Sequence, residues 1–364
     1  MAGAANPAED GVRSDYPTEQ GYEAMKLALY AAGAALLLVQ PAAAQQTITF
    51  ASFGGAYQAA QRKAQLDPIE KLLGIVIKED TLTGIADVRA QVRANAVKWD
   101  VADLGAASCA RGAAEGLFEP LDYSVIKTDG IDKAMVHKDW IGVIYYSTII
   151  AWNTDKYGQN GPQSWADFWD VKKFPGTRSL SRGAGETMEI ALMADGVPLD
   201  KLYPLDVDRA IKSLEKIKPH VVAWWASGAQ SAQLLKDGEA DMVAIWNGRA
   251  SAAIKDGAKA TTTYNQGILN ADCLVIPKGA KNLALAQKVI ALMVDPVIQA
   301  DIPKYINYGP ITSKAFDTGK ITPAQAAEIN SAPANAAKQT MMNFDFWREH
   351  LPKLTERMDA FLQR

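Results

Sequence analysis

The sequence predicts an α/β protein of two lobes, each a mainly parallel sheet flanked by helices. Three observations carry that reading. Short apolar strands alternate with helical stretches along most of the chain, the pattern of parallel sheets covered by helices. Apolar strands at 145–152 and 272–277 stand where one alternating region gives way to another, so the chain crosses from a first lobe to a second and returns. The length of 364 residues, with 48% hydrophobic and 22% charged residues, is enough for two cores of ordinary composition.

Met25-Lys26 opens an apolar run over 27–39 that closes with Pro41-Ala42-Ala43-Ala44. A basic start, an apolar stretch too short to span a bilayer and small residues before a cleavage point read as a signal peptide over 25–44. The expected mature chain begins at Gln45 in the periplasm. Residues 1–24 carry Glu9, Asp10, Asp15, Glu19 and Glu23 against a single Arg13, the reverse of an export signal, so they read as a doubtful extension and Met25 as the initiator. Residues 1–44 hold five of the 41 acidic and two of the 38 basic residues, which leaves 36 of each in the remainder. A neutral mature chain without a basic stripe disfavours binding to nucleic acid or to a membrane surface.

Taken in order, Thr47-Ile48-Thr49-Phe50-Ala51 reads as a strand that runs through Ser52-Phe53-Gly54-Gly55 into a helix over 56–72. Gly54 and Gly55 free the backbone at that turn, where N–H groups suit a polar ligand; a plain tight turn is the other reading. A strand over 75–79, a helix over 87–96, a strand over 101–104 and a helix over 109–115 follow. The second lobe is expected over 151–271, with helices at 186–194 and 207–217, Ser227 as an N-cap and a buried strand over 242–246. Residues 45–150 and 272–309 make the first lobe. An Ala-rich helical segment, 310–364, spans the two lobes.

Catalytic and metal signatures are weak. His137, His220 and His350 lie far apart and form no ligand pair at helical spacing. Arg182-Gly183-Ala184-Gly185-Glu186 lacks the third glycine of a dinucleotide loop, and no phosphate-binding loop or nucleophile elbow occurs. Cys109 and Cys273 are the two cysteines, and both a disulfide and two buried thiols fit them. Aromatic residues are plentiful at strand ends and loops, among them Phe53, Tyr57, Tyr145, Tyr146, Trp246 and Tyr308; ring faces in such places can box an ammonium group.

Ser52-Phe53-Gly54-Gly55-Ala56-Tyr57, Ser164-Trp165-Ala166-Asp167-Phe168-Trp169 with Phe174-Pro175-Gly176, Trp246-Asn247-Gly248-Arg249, Ile276-Pro277-Lys278-Gly279-Ala280 and Tyr308-Gly309-Pro310 follow one another in a characteristic order. In that combination the chain resembles the spermidine/putrescine-type solute-binding proteins of ABC transporters, over essentially all of residues 45–364. The resemblance implies the type II periplasmic binding protein fold, closure of two lobes on a small ligand and delivery to membrane permease subunits. It implies no cofactor and a monomer. It also implies ligand contacts at Phe53, Trp246 and Tyr308 and amine-binding acids at Glu186 and Asp272. Tyr145 joins the candidates as an aromatic at a strand end. The chain departs from the polyamine pattern at Gly183, Gly55 and Asn270, where acids or an aromatic are expected, and Arg182 and Arg249 offer planar forks for a carboxylate. The implied ligand is a small amine or zwitterion, 4-aminobutyrate or a related amino acid ahead of a polyamine. The rival reading is an enzyme on the same fold, a thiaminase-like transferase using Cys109.

Overall fold

A computed structural model describes residues 45–364. The leader, its cleavage point and the extension before it lie outside the described residues. The first half of the chain supplies β1 (Thr47–Ser52), α1 (Gly55–Gln61), α2 (Asp67–Leu73), β2 (Val76–Thr81), α3 (Ile85–Arg93), β3 (Val101–Gly105), α4 (Ala106–Ala114) and β4 (Ile141–Asn153). Then come α5 (Thr154–Tyr157), α6 (Trp165–Trp169), β5 (Arg178–Ser181), α7 (Thr187–Ala194), α8 (Val207–Ile217), β6 (Val221–Trp225), α9 (Gly228–Lys236), β7 (Met242–Trp246), α10 (Asn247–Lys255) and β8 (Ala260–Val275). The remainder holds α11 (Leu283–Met293), α12 (Pro296–Gln299), β9 (Gly309–Pro310), α13 (Pro323–Glu328), α14 (Pro333–Ala336), β10 (Thr340–Met341) and α15 (Phe344–Gln363). The helix expected over 56–72 is interrupted by a π-helical stretch, Arg62–Leu66, between α1 and α2.

One sheet runs through both lobes in the order β2-β1-β3-β8-β4-β7-β5-β6. Its outer pairs are parallel: β1 with β2 and β3, and β5 with β6 and β7. Its centre is antiparallel, so the mainly parallel sheets expected on either side are joined into one mixed sheet. The two crossing strands are the cause. β4 leaves the first lobe and β8 returns to it, so they pair head to tail from Ile141↔Leu274 to Asn153↔Ala260. They are longer than the sequence suggested, 13 and 16 residues, because each serves both lobes. Buried on both faces, β4 reads as one apolar run.

The hydrophobic core changes identity along these strands. Tyr146 and Ala271 pack with Ile48, Phe50, Val101 and Val289 in one cluster, whereas Ile150 and Ile268 pack with Trp165, Met188, Leu214 and Trp347 in another. The register shift between Thr148 and Ile150 falls in the same interval, where a bulge lets the ribbon bend. Strand alternation divides the second lobe: Met242 and Ala244 face the cluster holding Trp165, while Val243 and Ile245 face Trp225 and Leu235 on the other side of β7.

The segment after Pro310 is less helical than expected, with two short helices before α15. Trp347, Leu354, Met358 and Phe361 anchor α15 in the cluster that holds Trp165 and Met188, joined by Met342 just before the helix. The same helix packs on α4, so it bridges to the first lobe. Among the described residues no single helix is long and apolar enough to cross a membrane.

Candidate ligand-binding site

The carboxyl ends of β3, β5 and β7 point into a cleft between the lobes, where ligands of such sheets gather. A cavity of about 370 Å³ occupies it. Of the residues singled out from sequence, Phe53, Glu186, Trp246, Arg249, Asp272 and Tyr308 all line this cavity, brought together from five separate stretches of chain.

Asp272 sits near the end of β8 and is almost fully buried. Among the described residues no donor lies within hydrogen-bond distance of its carboxylate. Burial pushes it well above the usual carboxylate range; the neighbouring Asp103 and Glu186 carboxylates add to that, and the Arg249 guanidinium opposes it. Arg249, in the first turn of α10, is only 2% exposed. Its two Nη groups donate to the Gly54 carbonyl at 3.1 and 3.2 Å, and its Nε has no partner. No acid lies within ion-pair distance of it among the described residues. Two glycines make room for this side chain: a Cβ on Gly55 would stand 2.9 Å from Nη1, and one on Gly228 2.6 Å from Nε.

Glu186 is differently placed. It precedes α7 with φ of 67°, a left-handed conformation uncommon for a residue with a Cβ. Its carboxylate accepts from Thr148 Oγ1 at 2.6 Å, Trp246 Nε1 at 3.1 Å and Asn270 Nδ2 at 2.8 Å. Asn270 and Asp272 stand two residues apart on β8 and so face the same side of the strand. Aromatic rings complete the walls. Trp246 meets Tyr146 edge-on at 5.7 Å, Tyr308 meets Tyr57 edge-on at 5.3 Å, and Tyr146 and Tyr308 lie 6.2 Å apart. Behind them, the Tyr57 hydroxyl donates to Asp103 at 2.7 Å, as does Gln61 Nε2 at 2.6 Å. Burial raises Asp103 against the lowering effect of those two donors.

Three expectations need correction. Tyr145 opens onto a different cavity, beside Trp140 and His137; its neighbour Tyr146 is the one in the cleft, since consecutive side chains on a strand point opposite ways. Arg182 lies outside the cavity, its side chain 56% exposed and 3.6 Å from Asp359 of α15. Gly54 and Gly55 do not line the cavity either. The Gly54 N–H donates to Gln58 Oε1 at 2.9 Å, so this turn contributes a carbonyl to Arg249 rather than free N–H groups to a ligand. Cys109 is fully buried and joined in a disulfide to Cys273, with Cα atoms 6.6 Å apart. That leaves no thiolate for the rival enzymatic reading.

Tyr57, Tyr146 and Asn270, noted in the sequence but not chosen as contacts, line the cavity too, and so do Trp347 and Leu351, which sequence reasoning passed over. Tyr57 carried a signal, four residues after Phe53 in the same motif. Trp347 and Leu351 carried none, because nothing local ties α15 to the cleft.

A two-lobed sheet protein with a charged, aromatic-walled cavity between its lobes is a solute receptor by architecture. The model of the bacterial extracellular solute-binding protein family matches residues 64–337, and the chain belongs to that family. It is 36% identical to a gamma-aminobutyric acid-binding protein of Pseudomonas aeruginosa, over 88% of this chain and 92% of that one. It is 28% identical to the spermidine/putrescine-binding periplasmic protein of Escherichia coli, over 53% of this chain and 58% of that one. An ABC transporter substrate-binding protein from Bradyrhizobium japonicum USDA 110 superposes with a TM-score of 0.83 at 49% identity, covering 88% of this chain and 100% of the other.

Proposed function

We propose that the protein captures a zwitterionic amino acid of the 4-aminobutyrate type in the periplasm and presents it to ABC permease subunits as a monomer, without catalysis. One observation carries the reading: Asp272 and Arg249 are an acid and a base that both line one cavity, both are buried, and among the described residues neither has a group of opposite charge within ion-pair distance. An uncompensated buried charge is costly, and a ligand bearing an ammonium and a carboxylate compensates both at once. In this reading Asp272 takes the ammonium, with Trp246, Tyr308 and Phe53 as walls. Arg249 takes the carboxylate through the guanidinium edge that Gly54 leaves free. The similarity to a gamma-aminobutyric acid-binding protein over most of both chains supports it. A diamine fits less well, because its second ammonium would meet Arg249.

Titration calorimetry with 4-aminobutyrate and putrescine tests the assignment. Asp272→Asn and Arg249→Met are each expected to weaken 4-aminobutyrate binding by about a hundredfold or more, as removing one member of a buried charge pair costs about 3 to 5 kcal/mol. Putrescine binding that tightens in Arg249→Met, with 4-aminobutyrate inert throughout, replaces the zwitterion by a polyamine. Export is part of the proposal: intact mass of protein from a periplasmic extract should correspond to a chain beginning at Gln45.

A further inference from the structure

The carboxyl-terminal helix reaches the ligand cavity. Trp347 and Leu351, four residues apart on α15 and therefore on one face of it, both line the cavity. The cavity meets α4 there as well, through Ala106, Ala107 and Ser108 at that helix's start, and α15 packs across α4. The wall they form is mostly apolar, Ser108 being its one polar member among these five residues. At about 30 Å³ of liquid volume per water, the cavity's 370 Å³ corresponds to roughly a dozen water-sized groups, more than 4-aminobutyrate fills.

Trp347 is fixed in its rotamer by a buried polar link. Its indole N–H donates to Glu189 Oε1 at 2.6 Å, and the Tyr203 hydroxyl donates to the same oxygen at 2.6 Å. The Tyr203 hydroxyl in turn accepts from the backbone N–H of Asn343, the N-cap of α15, at 3.1 Å. Glu189 is fully buried and stands one helical turn after Glu186. Thus the turn that supplies an acid to the cavity also anchors the start of α15 and the ring behind its wall.

We propose that Trp347 and Leu351 set the length of ligand that the cavity accepts, with Glu189 as the positioning residue for Trp347. The proposal rests on the zwitterion reading: with the ammonium and carboxylate held at Asp272 and Arg249, extra methylenes between them must bow out into the cavity that Trp347 and Leu351 help to wall. Trp347 is wholly buried and backs the wall, so shortening it opens space beyond the present surface. Leu351 is only partly buried and can be shortened at small cost to the fold.

Calorimetric titration of the mature protein with 4-aminobutyrate, 5-aminopentanoate and 6-aminohexanoate reads the preference as a ratio of Kd values. Leu351→Ala and Trp347→Phe should each move the ratio of longest to shortest by about tenfold in favour of the longest. Glu189→Leu should move it the same way, because it releases the indole, whereas Glu189→Gln retains an acceptor oxygen and should restore the native ratio. A native ratio in both Leu351→Ala and Trp347→Phe overturns the role of the α15 wall while leaving the zwitterion reading in place. Failure of the unmodified protein to bind any of the three acids overturns that reading, and the length limit with it.

Discussion

Glu186 accepts the indole N–H of Trp246 at 3.1 Å, so the acid that lines the cavity also holds one of its aromatic walls in place. Thr148 and Asn270 occupy further acceptor sites on the same carboxylate. The carboxylate lines the cavity, but these three donors fix its geometry.

Glu186→Gln is therefore expected to weaken ligand binding less than Asp272→Asn does. Its amide can accept from Trp246 or Asn270 but must turn a donor on one of the groups that now donate to it. A loss of about tenfold is expected, near the 1 to 3 kcal/mol cost of leaving one buried polar group unsatisfied. Calorimetry on the two variants side by side checks the order, and equal losses would return Glu186 to direct contact with the ammonium.

Gly228→Ala should damage the site without damaging the fold. The added Cβ would stand 2.6 Å from Arg249 Nε and 2.9 Å from the Trp246 ring. Both side chains line the cavity, and both would have to move. Gly228 opens α9 in an ordinary helical conformation, so alanine adds no backbone strain there. Expected is a loss of affinity of tenfold or more with a melting temperature within a few degrees of the parent. Unchanged affinity would mean that Arg249 does not need its present position.

Stability of the ligand-free protein should fall as pH rises toward neutrality. Burial raises Asp103 and Asp272, and it raises Glu189 to about 7. An acid whose folded pKa lies above its unfolded one holds a proton more tightly in the native state. Its contribution is then greatest at low pH and is lost as pH climbs from the unfolded value, near 4, through the folded value. For Glu189 that window runs from about 4.5 to 7 and is worth on the order of 3 kcal/mol. Thermal unfolding between pH 5 and 8 should show the decline. Saturating amine ligand should reduce it, because an ammonium beside Asp272 favours the ionised form. A midpoint that rises across this range without ligand contradicts the burial of these acids in protonated form.

Much of the architecture was legible in the chain because it is written locally. Alternating strands and helices, Ser227 as the cap of α9, and the motifs around Phe53, Trp246 and Tyr308 depend on near neighbours. Parts of the long central strands β4 and β8 were visible as apolar runs, and Asp272 and Arg249 stand beside such runs or motifs. Family resemblance added which strand ends meet.

Only the tertiary structure decided the rest. Tyr145 and Tyr146 cannot be told apart in a strand buried on both faces, where apolar residues occupy either parity and periodicity is silent. The pairing of β4 with β8 sets which of them faces the cleft. Arg182 and Arg249 look alike in sequence, but one, just past the end of β5, reaches out to Asp359 and the other is folded inward against Gly54. The disulfide between Cys109 and Cys273 required α4 and β8 to lie side by side, across 164 residues of chain. The contribution of α15 to the cavity was hidden for the same reason: contacts between distant segments are settled by packing, and residue spacing holds no record of them.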